Sequence, residues 1–141
     1  MNLKSRKLSD CSVFFVFYNT ITAFDVLDDM IERFAVDKAW IKLEERWKKG
    51  EIGSKECLEG QMKSLRVTKK ALVKYLDQIK IDPFTDKLFS MLRAHGVKPI
   101  ILSDSFSLII EHVLKANKID DVDAYANTLK FNKDKLIPSF P

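Results

Sequence analysis

The sequence predicts an α/β fold in which a small parallel sheet is interrupted by a block of helices and closed by a β-hairpin. Three observations predict it. Val13 to Tyr18 (VFFVFY) is β-branched or aromatic throughout and ends at Asn19 and Thr20, as a short strand buried on both faces would. Two further runs of strand character follow, Pro99 to Leu102 after Gly96 and a weaker one from Val122 to Ala126. Helical periodicity fills the space between them, and strands separated by helices imply parallel pairing.

Taken in order, the elements begin with the strand at Val13 to Tyr18. Val26, Leu27, Met30, Ile31 and Phe34 then recur at helical spacing, and Trp40, Leu43 and Trp47 make a second stripe. GEIGS at 50–54 breaks the pattern. Leu58, Met62 and Leu65 form a third stripe, and Thr68 is placed to cap a fourth helix carrying Leu72, Leu76 and Ile79. Pro83 suits the first turn of a fifth helix, with Phe84, Leu88, Met91 and Leu92 expected inward and Gly96 closing it. After the second strand, Ser105 is expected to cap a sixth helix whose inward face is Ile109, Ile110, Val113 and Leu114. TLKFNKDKLIPSF reads as a β-hairpin turning at 132–135.

Composition sets the class. With 141 residues, 46% hydrophobic and 31% charged, the chain is long enough for one domain with a core of ordinary size. The net charge of +4 arises from 24 basic residues interleaved with 20 acidic ones, without a basic stripe, so nucleic-acid binding is not expected. The apolar runs fall far below the roughly 20 residues a membrane span requires, and the N-terminal MNLKSRKLSDCS lacks a signal peptide's apolar stretch. Cys11 and Cys57 match no metal or redox spacing and suit a reducing, cytoplasmic compartment. His95 and His112 join no nucleophile motif, and the four glycines form no phosphate loop.

Two segments carry a more specific message. FFVFYNTIT resembles the first motif of the haloacid dehalogenase (HAD) phosphatases, a hydrophobic strand running into Asp-x-Asp-x-Thr, with both aspartates changed. On that resemblance Val16 falls on the nucleophile, Tyr18 on the general acid/base and Thr20 on the motif threonine. KPIILSDSF resembles the second motif, with Ser103 on the phosphoryl-binding serine or threonine. The helical block at 24–80 looks like the α-helical cap of the phosphoserine-phosphatase branch, and the whole pattern is similar to the methionine-salvage phosphatases of that branch.

The resemblance implies an incomplete HAD-like Rossmannoid parallel sheet with an inserted helical cap and a C-terminal hairpin. It divides the chain into an N-terminal extension 1–12, a partial core 13–23 and 81–141, and a cap 24–80. The family's third and fourth motifs, a lysine and an acidic magnesium loop, would lie beyond Pro141. In the family the first aspartate attacks phosphorus and the second handles the proton. Valine has no nucleophilic atom, and a phenol with an ordinary pKa near 10 is a poor substitute for a carboxylic acid. The expectation is therefore a phosphatase-like domain without catalysis of its own. Magnesium, the family cofactor, is not expected to bind here. A substrate, if there is one, would be a small phosphorylated metabolite. Asp25 falls near an acidic substrate-side position, although Asp25, Asp28 and Asp29 serve equally well as first-turn helix acids. Alternatives are a phosphate-binding module around Thr20 and Ser103, or a subunit completed by a second chain. The uncharged strand 13–18 is also expected to self-associate as an exposed edge.

Overall fold

The computed structural model describes residues 7–141. A short 3-10 helix, Leu8–Asp10, leads into β1 (Val13–Phe15), after which come α1 (Val26–Phe34), α2 (Ala39–Lys48), α3 (Ser54–Ser64) and α4 (Lys69–Leu76). Next are α5 (Thr85–Ala94), β2 (Pro99–Phe106), α6 (Ser107–Ala116), β3 (Asp123–Asn132) and β4 (Lys135–Ser139). The four strands form one sheet in the order β1-β2-β3-β4. β1 pairs parallel to β2, with Phe14 opposite Ile100, and β2 pairs parallel to β3, with Leu102 opposite Tyr125. β3 and β4 are antiparallel, joined by the two-residue loop Lys133–Asp134, in which Lys133 takes a φ of 58°. The fold class and the closing hairpin are as the sequence predicts.

Helix α6 packs on β2 and β3 through Ile109, Ile110 and Val113, all fully buried. Helices α1 to α4 lie between β1 and α5 in the chain. Their path leaves the sheet at Thr22 and returns at Ile81, where an antiparallel bridge and the Asp82 N–H to Ile21 carbonyl bond hold exit and entry together. α2 packs on α3, α3 on β4, and Phe17, Met30, Met62, Leu72 and Ile101 belong to one continuous buried cluster. Thr68 caps α4 by accepting from the Ala71 N–H at 3.3 Å, and Gly96, at φ 76°, terminates the turn after α5.

Three local expectations are corrected. β1 stops at Phe15 rather than Tyr18, because Phe17 turns inward and its carbonyl accepts the N–H groups of Ile21 and Thr22. Nor is β1 buried on both faces: Phe14 and Val16 are each 58% exposed, while Phe15 stacks edge-on against Phe89 at 5.1 Å. On the same face as Phe14, Leu102 and Tyr125 are also exposed, so among the described residues one face of the sheet carries no covering layer. In α5 the inward residues are Thr85, Phe89 and Leu92, whereas Phe84, Leu88 and Met91 face solvent. The helix starts two residues later than Pro83 suggests, and its apolar residues occupy two faces. Ser105 caps nothing: β2 runs without a loop into α6, whose first turn follows Phe106.

Candidate functional site

The turn after β1 and the end of β2 meet at the carboxyl edge of the sheet, the customary place for ligands in open α/β sheets. Asn19 makes this turn possible at φ 56°, a left-handed conformation that a short polar side chain tolerates. Two hollows adjoin there. One, of about 400 Å³, is lined by Val16, Tyr18, Asn19, Asp25, Leu102, Ser103 and Asp104. The other, of about 150 Å³, shares Tyr18, Asp25 and Asp104 with it and reaches between α1, α2 and α3.

The structure thus brings together Val16, Tyr18, Ser103 and Asp25 around one cleft, but not Thr20. Thr20 is exposed and lines a separate hollow with Phe15, Ile21, Asp82 and Phe84. The buried hydroxyl in this stretch belongs to Thr22, which donates to the Phe24 carbonyl at 2.8 Å. Asp25 is the N-cap of α1, its carboxylate accepting from the N–H groups of Leu27 (2.9 Å) and Asp28 (3.1 Å). Ser103 Oγ accepts the Ser105 N–H at 3.1 Å, within an irregular stretch of β2 between Leu102 and Phe106.

Tyr18, which lines both hollows, belongs to a pair that sequence reasoning missed. Ser105, completely buried, donates its hydroxyl to the phenol of Tyr18. Burial pushes the Tyr18 phenol far above its ordinary value; the Ser105 hydrogen bond opposes this, and the nearby Asp25 and Asp104 carboxylates reinforce it. Tyr18 is thereby favoured in its neutral form and acts as a hydrogen-bonded wall of the cleft. The alternation of Ser103 and Ser105 along a strand was the only available signal, since Tyr18 lies 87 residues away. Because each hydroxyl is the other's partner, Ser105→Ala and Tyr18→Phe should each cost about 1 kcal/mol, the penalty of leaving one buried polar group unpaired. The double variant should cost clearly less than the sum. Urea denaturation of the four proteins measures this, and strictly additive losses would show that the pair is not coupled.

Val16 offers a hydrocarbon, and both histidines are elsewhere: His95 Nδ1 sits 2.8 Å from the Met91 carbonyl and His112 Nε2 2.7 Å from Asp77. No lysine or arginine is among the residues that line either hollow. Nor does the cleft suit magnesium. Among the described residues no three His, Cys, Asp or Glu side chains converge as a metal site, Asp25 is engaged as a cap, and Tyr18 stays neutral. Calorimetry is expected to find no site-specific magnesium binding at micromolar concentrations; a stoichiometric isotherm there would mean that Asp25 and Asp104 reorganise around the ion.

Comparison with known proteins places this geometry. No protein-family profile matches the chain. A curated phosphoserine phosphatase of Archaeoglobus fulgidus is 26% identical over 119 residues, covering 84% of this chain and 34% of that protein. A HAD family hydrolase from Salmonella enterica serovar Typhi superposes with a TM-score of 0.76 at 17% identity, over 92% of this chain and 45% of that one. A probable phosphoserine phosphatase from Vibrio cholerae gives 0.69 at 22% identity, over 96% and 42%. The chain thus spans about a third of the curated relative and less than half of these two solved chains. Among the described residues no helix is long and apolar enough to cross a membrane. Its sheet order, its helical block between β1 and α5 and these superpositions agree: the chain has the fold of the haloacid dehalogenase phosphatases in its phosphoserine-phosphatase-like form.

Proposed function

We propose that this chain is a phosphatase-like protein that does not hydrolyse phosphomonoesters as it stands. The observation that carries this reading is the occupancy of the cleft. The side chains at the positions of nucleophile and acid/base are a valine and a neutral, hydrogen-bonded tyrosine, next to Ser103 and, among the described residues, without a cation in the lining. With aspartates at 16 and 18, the same framework would support magnesium-dependent hydrolysis of a small phosphorylated metabolite. Residues 24–80 would serve as its cap, residues 13–23 and 81–141 as its core, and residues 1–12 as an extension. Free Cys11 and Cys57 fit a cytoplasmic setting. The test is incubation of the purified chain with magnesium and a panel of phosphomonoesters; turnover above a denatured control would reject the reading.

A second reading, a subunit completed by another chain, is favoured by the sheet face at Phe14, Leu102 and Tyr125 and the adjoining edge of β1, which are uncovered among the described residues. It expects that a polypeptide carrying the lysine and acidic-loop motifs co-purifies with this chain and slows hydrogen exchange at Phe14 and Phe15. Unchanged exchange in the mixture would reject it. A phosphate-binding module is not favoured, since the cleft lining presents carboxylates and no basic side chain.

A further inference from the structure

Helices α2 and α3 are held to each other more firmly than to the rest of the molecule. Their contact is close: a side-chain carbon at Gly60 would come within 2.6 Å of Leu43 Cδ1, so any larger residue there would displace Leu43. Across the connecting turn Trp47 Nε1 donates to Ser54 Oγ at 3.1 Å, and Arg46 lies 3.5 Å from Glu51. Outward attachment is thinner. α2 has no buried residue, whereas α1 and α4 place Val26, Met30, Leu72 and Leu76 fully inside the continuous core. Beyond α2, the main neighbour of α3 is β4. There Lys55 Nζ sits 5.6 Å from the ring centre of Phe140, which is only partly buried.

The chain enters and leaves this helical pair through one narrow neck. Ala35 bridges Leu65 in antiparallel fashion, with the Val36 N–H on the Ser64 carbonyl at 3.1 Å and the Arg66 N–H on the Phe34 carbonyl at 3.0 Å. The neck is in turn fixed to the terminal hairpin, since Arg66 bridges Lys135 and the Val67 N–H donates to the Asp134 carbonyl at 2.8 Å. Met62, at the foot of α3 beside the neck, is fully buried. Both crossings therefore lie at one anchored end of the pair.

We propose that residues 37–61 form a rigid lid that swings about Met62 and this neck, away from β4, while α1 and α4 stay in the core. A unit with few buried apolar contacts and a single anchored end opens as a body at a lower free-energy cost than global unfolding. The hinge is the neck and not the Thr22–Ile81 bridge, where the whole helical block leaves the sheet. Opening parts the seam at which Trp47, Cys57 and Leu58 share a hollow with Tyr18 and Leu27, and so admits solvent to the cleft from the side of α1. The lid does not depend on the absence of turnover, because its motion is read without any substrate.

Cys57, 4% exposed in that seam, reports the motion. The experiment measures alkylation of Cys57 in the whole chain carrying Cys11→Ser, beside the folding equilibrium constant from urea denaturation and amide exchange of the helices. Cys57 should be labelled through an opening about tenfold or more easier than global unfolding, and α2 amides should open with it, while α1 and α4 amides open with those of α6. Leu43→Ala removes a contact inside the lid that survives opening. It should lower the folding equilibrium constant about tenfold and change Cys57 labelling by less than about twofold. Phe140→Ala removes a contact that opening breaks, and should speed labelling about fivefold or more. Circular dichroism checks that both variants are folded, and the unmodified ratio of labelling to unfolding tests the lid without them. Labelling that tracks global unfolding, acceleration in Leu43→Ala, an unchanged rate in a folded Phe140→Ala, or α1 amides opening with α2 would each overturn the proposal.

Discussion

Steady-state assays with magnesium and phosphomonoesters, an aryl phosphate included, should give rates indistinguishable from those of denatured protein. Removing the attacking group of a covalent enzyme typically costs on the order of 10⁴- to 10⁶-fold. Here Val16 presents only methyl groups to the cleft and burial raises the Tyr18 pKa, so neither attack nor proton delivery is expected to find an effective agent at these two positions. Ser103 is not expected to replace them, since its hydroxyl is engaged in accepting the Ser105 N–H at 3.1 Å. The double substitution Val16→Asp with Tyr18→Asp should restore little. It adds two carboxylates to a cleft that already includes Asp25 and Asp104 and lacks a cation to hold the transferred phosphoryl group. It also deprives Ser105 of its hydrogen-bond partner. Strong activity in that double variant would mean that the cleft rearranges when charged.

The second large effect concerns association. β1 pairs only with β2, so its other edge presents unpaired N–H and C=O groups among the described residues, next to Phe14, Val16, Leu102 and Tyr125, each more than half exposed. Uncharged edges of this kind recruit further strands, and contiguous exposed apolar side chains add a driving force. Sedimentation across a concentration series should show reversible association at concentrations on the order of tens of micromolar. Phe14→Lys should raise the apparent dissociation constant by about tenfold, equivalent to roughly 1.4 kcal/mol, because it places a charge on the open face. Phe15→Lys is unsuitable for this purpose. Phe15 is partly buried and stacks on Phe89, so its replacement should also lower stability. Glu45→Lys, on the exposed side of α2, should change nothing. A clean monomer in the unmodified protein would defeat this expectation.

Most of the fold was legible because its signals are local. The stripe from Val26 to Ile31, the inward face of α6, the closing glycine at Gly96 and the hairpin at 132–135 each depend on residues within a few positions of one another. Where the reading failed, two local patterns competed. In α5 the set Phe84, Leu88 and Met91 and the set Phe89 and Leu92 are both helical in spacing, and only the position of β2 beneath the helix selects the second. At Ser105 a strand abuts a helix without a loop, so a serine before an apolar stripe imitates a cap while lying in the sheet. The cleft was partly legible: Val16, Tyr18, Asp25 and Ser103 line it together. Thr20 was not placed there because the turn held by Phe17 directs it to the far side. The Tyr18–Ser105 pair and the pairing of Ala35 with Leu65 depend on contacts distant in sequence, which periodicity does not report.

The central claim, that the position of the family nucleophile is chemically inert in this chain, is tested most directly by intact-protein mass spectrometry after incubation with magnesium and an excess of aryl phosphate, quenched in acid to preserve any acyl phosphate. The mass should remain that of the unmodified chain at every time point. A phosphoryl adduct localised to residues 13–25 would contradict the account.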